Sequence, residues 1–176
     1  MKPYTTKRTL EVSFRFLLYG VLGFLLERGI NLVAYGLWFD NSVLFGPVQP
    51  MYAVGMMGAV WASEHIKTGR FRVVRMFLVA YAFTASSEWL SGMGYRYLTG
   101  RNLWDYRSTF ALCQGPYTCW LPTSIFAGLA LSFAFFMAPR LARLEKRVPL
   151  VLKTLFVVLF IIDIFVTYGG LYAQRG

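Results

Sequence analysis

Three carboxylates stand inside apolar stretches of this chain: Glu27 in LYGVLGFLLERGINLVAYG, Glu88 in VAYAFTASSEWLSGMGY and Asp163 in VVLFIIDIFVTYG. A charge held in hydrocarbon costs about 2.5–3.5 kcal/mol at a helix centre even on lenient insertion scales, so each acid needs a partner or a purpose. Such groups can hold a proton, bind a cation, orient a polar ligand or act as a general base. One base, Arg28, shares the apolar stretches with them. Three acids against one base leave excess negative charge, and at least one carboxyl is expected to be protonated or to hold a cation. Neighbours on a helix point about 100° apart, so Arg28 need not neutralise Glu27 and is expected to reach Glu88 or Asp163. A second constellation follows Glu88: past a Gly-Arg-Asn turn stand Trp104, Asp105 and Tyr106, an acid between two aromatics that could close a polar cavity.

Depth and face both group the acids. Glu27 lies 12 residues past Arg15, Glu88 13 past Arg75 and Asp163 10 past Lys153. At 1.5 Å rise these are about 18, 20 and 15 Å from the basic edge, one layer of a core about 30 Å thick. Four and seven residues either side of Glu27 are Gly20, Gly23, Asn31 and Ala34; the same offsets from Glu88 give Tyr81, Thr84, Gly92 and Tyr95, with Ser91 at three. Asp163 is followed by Thr167 and Gly170. Such small and polar stripes face other helices and not lipid. Gly55/Ala59/Ser63 and Ser124/Gly128/Ser132 are expected to be the complementary packing stripes.

The elements that must position these groups are transmembrane helices. The 176 residues are 57% hydrophobic, 18% aromatic and only 15% charged, whereas soluble domains carry about 25% charged residues. Long apolar runs predict an all-α, polytopic membrane protein forming one transmembrane domain over residues 1–176, with spans near 14–35, 49–65, 72–98, 118–137 and 150–171. The short alternating segments of a membrane barrel are missing. A net charge of +10 reads as a topology signal and not as nucleic-acid binding, because the basic residues cluster between spans. Thirteen lie on one side of the five-span arrangement (Lys2, Lys7, Arg8, Arg15; Lys67, Arg70, Arg72, Arg75; Arg140, Arg143, Lys146, Arg147, Lys153) and four on the other (Arg96, Arg101, Arg107, Arg175). That bias predicts a cytoplasmic N-terminus, an outer C-terminus and an outer Trp-Asp-Tyr loop. The basic start lacks the pattern of a cleaved signal, and the first span is expected to be retained.

Spans one–two and three–four read as two copies of a unit. Each runs from a Glu-bearing helix through an aromatic-Asp element (Trp38-Phe39-Asp40; Trp104-Asp105) and a Gly-Pro (Gly46-Pro47; Gly115-Pro116) to a small-residue helix. Two spans per copy make these parallel repeats about an axis along the membrane normal, with the fifth span added.

The strings FLLYGVLGFLLE, LFGPVQPMYAVG, EWLSGMGYRYLTGRNLWDYR and TFALCQG resemble the type-IV ABC-transporter-like (CmpB-like) family over roughly residues 14–135. The most specific part is Glu…Trp-Asp-Tyr, matched by Glu88, Trp104, Asp105 and Tyr106. This chain has Arg107 where the family usually has Ser, and Phe110-Ala111-Leu112 where Asn and Gly are frequent. The resemblance implies a membrane transport component. No P-loop or other catalytic signature is present, so an ABC role requires a separate ATPase docking on the cytoplasmic connectors, of which only PRLARLEKRVPL is long enough for a coupling element.

Three functions remain open from the residues. The first is an outward-opening cavity lined by Glu27, Arg28, Asn31, Glu88 and Asp163, capped by Trp104, Asp105 and Tyr106, which binds a small solute, a cation or a lipid headgroup for transport. The second is an intramembrane lipid-modifying enzyme with Glu27 or Glu88 as general base, for which Ser87 and Ser91 are the nearest nucleophiles. The third is a non-catalytic assembly subunit, alone or as a homo-oligomer. No cofactor or metal centre is implied: one histidine, His65, and two cysteines, Cys113 and Cys119, make no ligand set. The cysteines fall on the outer side, where either a disulfide or two free thiols would be chemically permitted.

Overall fold

The computed structural model describes residues 3–38, 42–111 and 113–173. These form six helices: α1 (Pro3–Tyr35), α2 (Pro50–His65), α3 (Arg72–Thr99), α4 (Trp120–Phe136), α5 (Ala138–Glu145) and α6 (Leu150–Ala173). No strand is formed among the described residues beyond one isolated bridge between Cys113 and Cys119. The all-α expectation holds.

Prolines punctuate the chain. Gln49 is extended and Pro50 opens α2, where a missing N–H leaves nothing unpaired. Met137 alone separates α4 from α5, Pro139 stands in the first turn of α5, and the two helices bend by 54° at that break. A proline ring inside a continuous helix would clash with the carbonyl four residues back, so the chain turns instead. The basic stretch read from sequence as a connector is therefore largely helical. Ala138 and Glu145 of α5 are buried, Leu141 and Ala142 half-buried, while Arg140, Arg143 and Leu144 face out.

The centre of the bundle is α2, packed between α1, α3 and α4. Its inner contacts are small: Ala59 and Ala62 meet Met76 and Ala80 of α3 and Ala127, Ala130 and Ala134 of α4. Small side chains let backbones approach closely, which drives helix association where apolar burial does not. A second cluster joins Tyr19, Ala53, Met56, Phe133 and Ala138, with the Tyr19 and Phe133 rings edge to face at 4.7 Å. On α2, Gly55 and Ala59 pack inward as expected. On α4 the expected stripe is displaced by one residue: Thr123, Ala127 and Ala130 are buried, whereas Ser132 is exposed and Gly128 has no neighbour close to where a Cβ would stand. The inward face is set by α2 and α3, whose alanines demand alanines opposite.

Helix α6 lies outside this centre, against α1, where Val157, Phe160 and Ile164 cover Leu17, Leu44 and Val48. The rest of its surface is apolar and open, Val151 and Phe165 being 78% and 74% exposed. Such a helix is at home in lipid. By length and composition, residues Lys7–Val33 and Leu150–Ala173 can cross a membrane, and a third span arises if the bent α4–α5 pair is one. Two or three spans, not five, meet that standard. With 16 residues, α2 reaches about 24 Å; α3 is long enough but carries Arg72, Arg75, Glu88 and Arg96. In the repeat reading, Phe39 and Asp40 lie outside the described residues, as do Lys2 and Arg175 of the charge count.

Candidate functional site

Glu88 is the best-buried charged residue of the described chain, 1% exposed. It stands on an inward stripe of α3 with Met76, Ala80, Thr84, Ser87 and Gly92. Its Oε2 accepts a hydrogen bond from Thr123 Oγ1 at 2.6 Å, and its Oε1 accepts one from Tyr106 Oη at 3.0 Å. One donor belongs to the first turn of α4 and the other to the loop that follows α3. The acid thus joins three parts of the chain. Hydrogen bonds to a carboxylate are about twice as strong as neutral ones, which offsets part of its desolvation.

The loop is shaped to deliver Tyr106. The Trp104 Nε1 donates to the Tyr117 carbonyl at 3.2 Å, Tyr106 N donates to the Pro116 carbonyl at 2.8 Å, and Tyr117 Oη donates to Asn102 Oδ1 at 2.8 Å. The Trp104 ring stands 6.4 Å from that of Tyr106 and 6.0 Å from that of Tyr117. Tyr117 is itself buried, pressed so closely on α3 that a Cβ at position 92 would overlap its ring. A disulfide joins Cys113 to Cys119, closing the loop onto the start of α4. Burial, and then the carboxylates of Glu88 and Glu27, hold the Tyr106 proton more tightly than in a free tyrosine. Tyr106 is therefore a hydrogen-bond donor at all ordinary pH values.

Asp105 departs from expectation. It faces out of the bundle, where its Oδ2 pairs with Arg107 Nη2 at 2.6 Å and its Oδ1 accepts from the Arg107 backbone N–H and Nε, each at 3.0 Å. The guanidinium hydrogen-bonded to it holds its carboxyl below the usual aspartate range. The residue caps the single 3-10 turn Tyr106–Ser108 and so aims its neighbour Tyr106 inward. Arg107, read from sequence as an outer-side charge and a departure from a family pattern, is its partner.

Glu27 and Asp163 converge on a different segment, the chain entering α2. Gln49 Nε2 donates to Glu27 Oε2. The amides of Phe45 and Gly46 donate to Asp163 Oδ1 and Oδ2 at 3.1 and 2.9 Å, and Thr167 Oγ1 donates to Oδ1 at 3.0 Å. The stripe on α1 faces this segment as expected, for Gly23 meets the Tyr52 side chain so closely that a Cβ would overlap it. Asn31 is buried, and its Nδ2 has no hydrogen-bond partner. The Arg28 guanidinium lies over the Phe24 ring at 4.4 Å and the Trp38 ring at 5.6 Å. Among the described residues the partners of Glu88 and Asp163 are hydroxyls and amides, not Arg28.

Beside Glu88 lies a cavity of about 20 Å³ whose walls are mostly apolar, among them Leu26, Met51, Met56 and Phe126, with Tyr52, Gly55 and Thr84. It holds one water at most. Thr84 Oγ1, buried and without a hydrogen-bond partner, is available to that water. Met51 also lines a groove of about 430 Å³ between α2 and α3, where Ser86, Ser87 and Ser91 supply hydroxyls. The space beside Glu88 is thus much smaller than the outward-opening cavity expected from the sequence, and Tyr106 hydrogen-bonds to its acid. Sequence reasoning did not single out Thr123 or Gln49. Each lies at the start of the helix that follows its acid, a position at which a polar side chain among apolar residues could have drawn notice.

The chain matches the model of the family described as "Putative ABC-transporter type IV" over residues 14–168. The match takes in most of α6 and Asp163, beyond the stretch on which the sequence resemblance rested. No curated protein and no solved structure matches it.

Proposed function

The chain belongs to the type IV ABC-transporter family matched over residues 14–168, and from that membership we propose a membrane-embedded transport component whose gated site is built on Glu88. The observation that carries this reading is the buried carboxylate whose two oxygens hold the Tyr106 loop and α4 together beside a small, mostly apolar cavity. A purely structural tie would be cheaper with apolar side chains, since a buried charge costs more than it returns unless it is needed. Release of Tyr106 would free one carboxylate oxygen and widen the cavity towards the loop. The groove beyond Met51 is of ligand-pocket size, and methionine is flexible enough to yield between the two spaces. The ligand class is a small cationic or proton-coupled solute, or a lipid headgroup, recognised by carboxylate and hydroxyl groups. Glu27, Arg28, Asn31 and Asp163 belong to the outer mouth of the same site.

Five crossings, with α2 and α3 carried by their neighbours, a cytoplasmic N-terminus and an outer Trp-Asp-Tyr loop complete the proposal; the Cys113–Cys119 disulfide supports the outer assignment. Hydrolysis of ATP would come from a separate subunit docking on the face that bears α5. The test is Glu88→Gln and Tyr106→Phe in lipid nanodiscs, with retained small molecules and lipids read by native mass spectrometry. Loss of a specific retained species in Glu88→Gln, with retention kept or raised in Tyr106→Phe and folding intact in both, supports the gate. Identical retention with lowered thermal stability overturns it in favour of an assembly role.

A further inference from the structure

The opposite end of the molecule holds a second polar space that the Glu88 site does not use. It is a pocket of about 400 Å³ between α1, α5 and the start of α6, lined among others by Lys7, Glu11, Arg15, Glu145, Lys146 and Lys153. The first three are spaced by four and so share one face of α1. Arg15 Nε and Glu145 Oε2 pair at 3.0 Å and cancel. That leaves Lys7, Lys146 and Lys153 against Glu11 in the lining. Glu64 also acts on Arg15, from outside the lining.

Lys153 is the decisive residue. It is 5% exposed, stands in the first turn of α6, and forms no hydrogen bond or ion pair through its Nζ among the described residues. Among the described residues, its ammonium lies over the Phe14 ring, 5.6 Å away. The side chain is packed between the helices while the residue lines the pocket, so an anion there would meet a positive charge that no acid among the described residues neutralises. The free amides of the first turn of α6 add positive potential at the same place. We propose that this pocket binds a phosphate-bearing anion, with Lys153 as its buried contact and Lys7 and Lys146 at its rim. Basic pockets between membrane helices recognise anionic headgroups through this chemistry. The phosphate comes either from an anionic phospholipid or from a free ion, and the two sources are separable.

The full-length protein in detergent is titrated with phosphatidylglycerol, with phosphatidylcholine and with inorganic phosphate, and bound species are counted by native mass spectrometry. Phosphatidylglycerol is expected to bind in preference to phosphatidylcholine. Lys153→Gln and Lys146→Gln should each weaken it about fivefold, the effect of one basic group near an anionic lipid. Arg143→Gln, on the outward face of α5, should not. If Lys153→Gln does not fold, the rim variant Lys146→Gln carries the test. Displacement by inorganic phosphate with the same residue dependence supports the pocket with a free anion as its ligand, and resistance to displacement supports it with the lipid. Equal binding of the two lipids, or equal effects of all three substitutions, overturns the proposal.

Discussion

At the scale of single residues, the chemistry rests on how two acids are treated. Glu88 is held by two hydroxyls, and Tyr106→Phe or Thr123→Val removes one bond to a carboxylate. Either change should destabilise the protein by about 1.5–3 kcal/mol, read as a fall in thermal midpoint. Glu88→Gln keeps shape and hydrogen bonding and removes only charge, so the fold should survive while ligand retention falls. Asp105 behaves differently, because its partner is beside it on the surface. Its folded-state carboxyl titrates below the free value of 3.8. The stabilisation it contributes is therefore complete above that value and disappears as pH falls below it, through the lowered folded-state value. Wild type should exceed Asp105→Asn in thermal midpoint at neutral pH and converge with it in acid. A difference that does not change with pH would contradict the pairing. Of these roles, the sequence showed Glu88 and Tyr106 plainly, for a carboxylate in an apolar helix announces its need. It could not show that Asp163 binds the amides of Phe45 and Gly46, since backbone donors leave no mark in the residue types.

At the scale of elements, helix positions followed the apolar runs closely, and faces less so. The acid stripes of α1 and α3 were legible because glycine beside a carboxylate is unusual in a lipid-facing surface. The stripe of α4 was not, because Ser124/Gly128/Ser132 and Thr123/Ala127/Ala130 are equally small and only the opposing helices choose between them. Helix α5 escaped notice because its charge outweighs its short inward stripe. Glycines offer a direct test of the α3 face. Gly92→Ala would drive a methyl group into the Tyr117 ring and should cost about 1–3 kcal/mol. Gly94→Ala, two residues on and with open space around it, should be neutral or stabilising by up to about 1 kcal/mol through helix propensity. Thermal midpoints of the two variants that move together would show that Tyr117 does not press on α3.

At the scale of the whole molecule, charge bias and packing make separate claims. The basic ends of α1, α3 and α5 with the start of α6 define one face, and the loop carrying Trp104 to Cys119 defines the other. A Leu103→Cys variant lacking both native cysteines should react with an impermeant thiol reagent applied from outside the cell. Reaction only after the cytoplasm is opened would invert the molecule. Cys113→Ser should lower stability by about 2 kcal/mol, the chain-entropy contribution of so short a loop, and a reductant should produce the same change in wild type. The number of crossings was the least legible property, because α2 is short and α3 polar, and neither crosses on its own merits.

The ties at Glu88 also set an order on the making of the protein. Its two donors, Tyr106 and Thr123, lie 18 and 35 residues further along the chain. When α3 leaves the ribosome, neither donor has yet emerged beside it, and a helix carrying a central acid with arginines at both ends partitions poorly into lipid. If α3 is one of the five crossings proposed above, it would have to wait at the translocon, or beside α2, until the loop and the fourth helix arrive. A nascent chain ended after residue 100 should leave α3 uninserted, and one ended after α4 should release it into the bilayer.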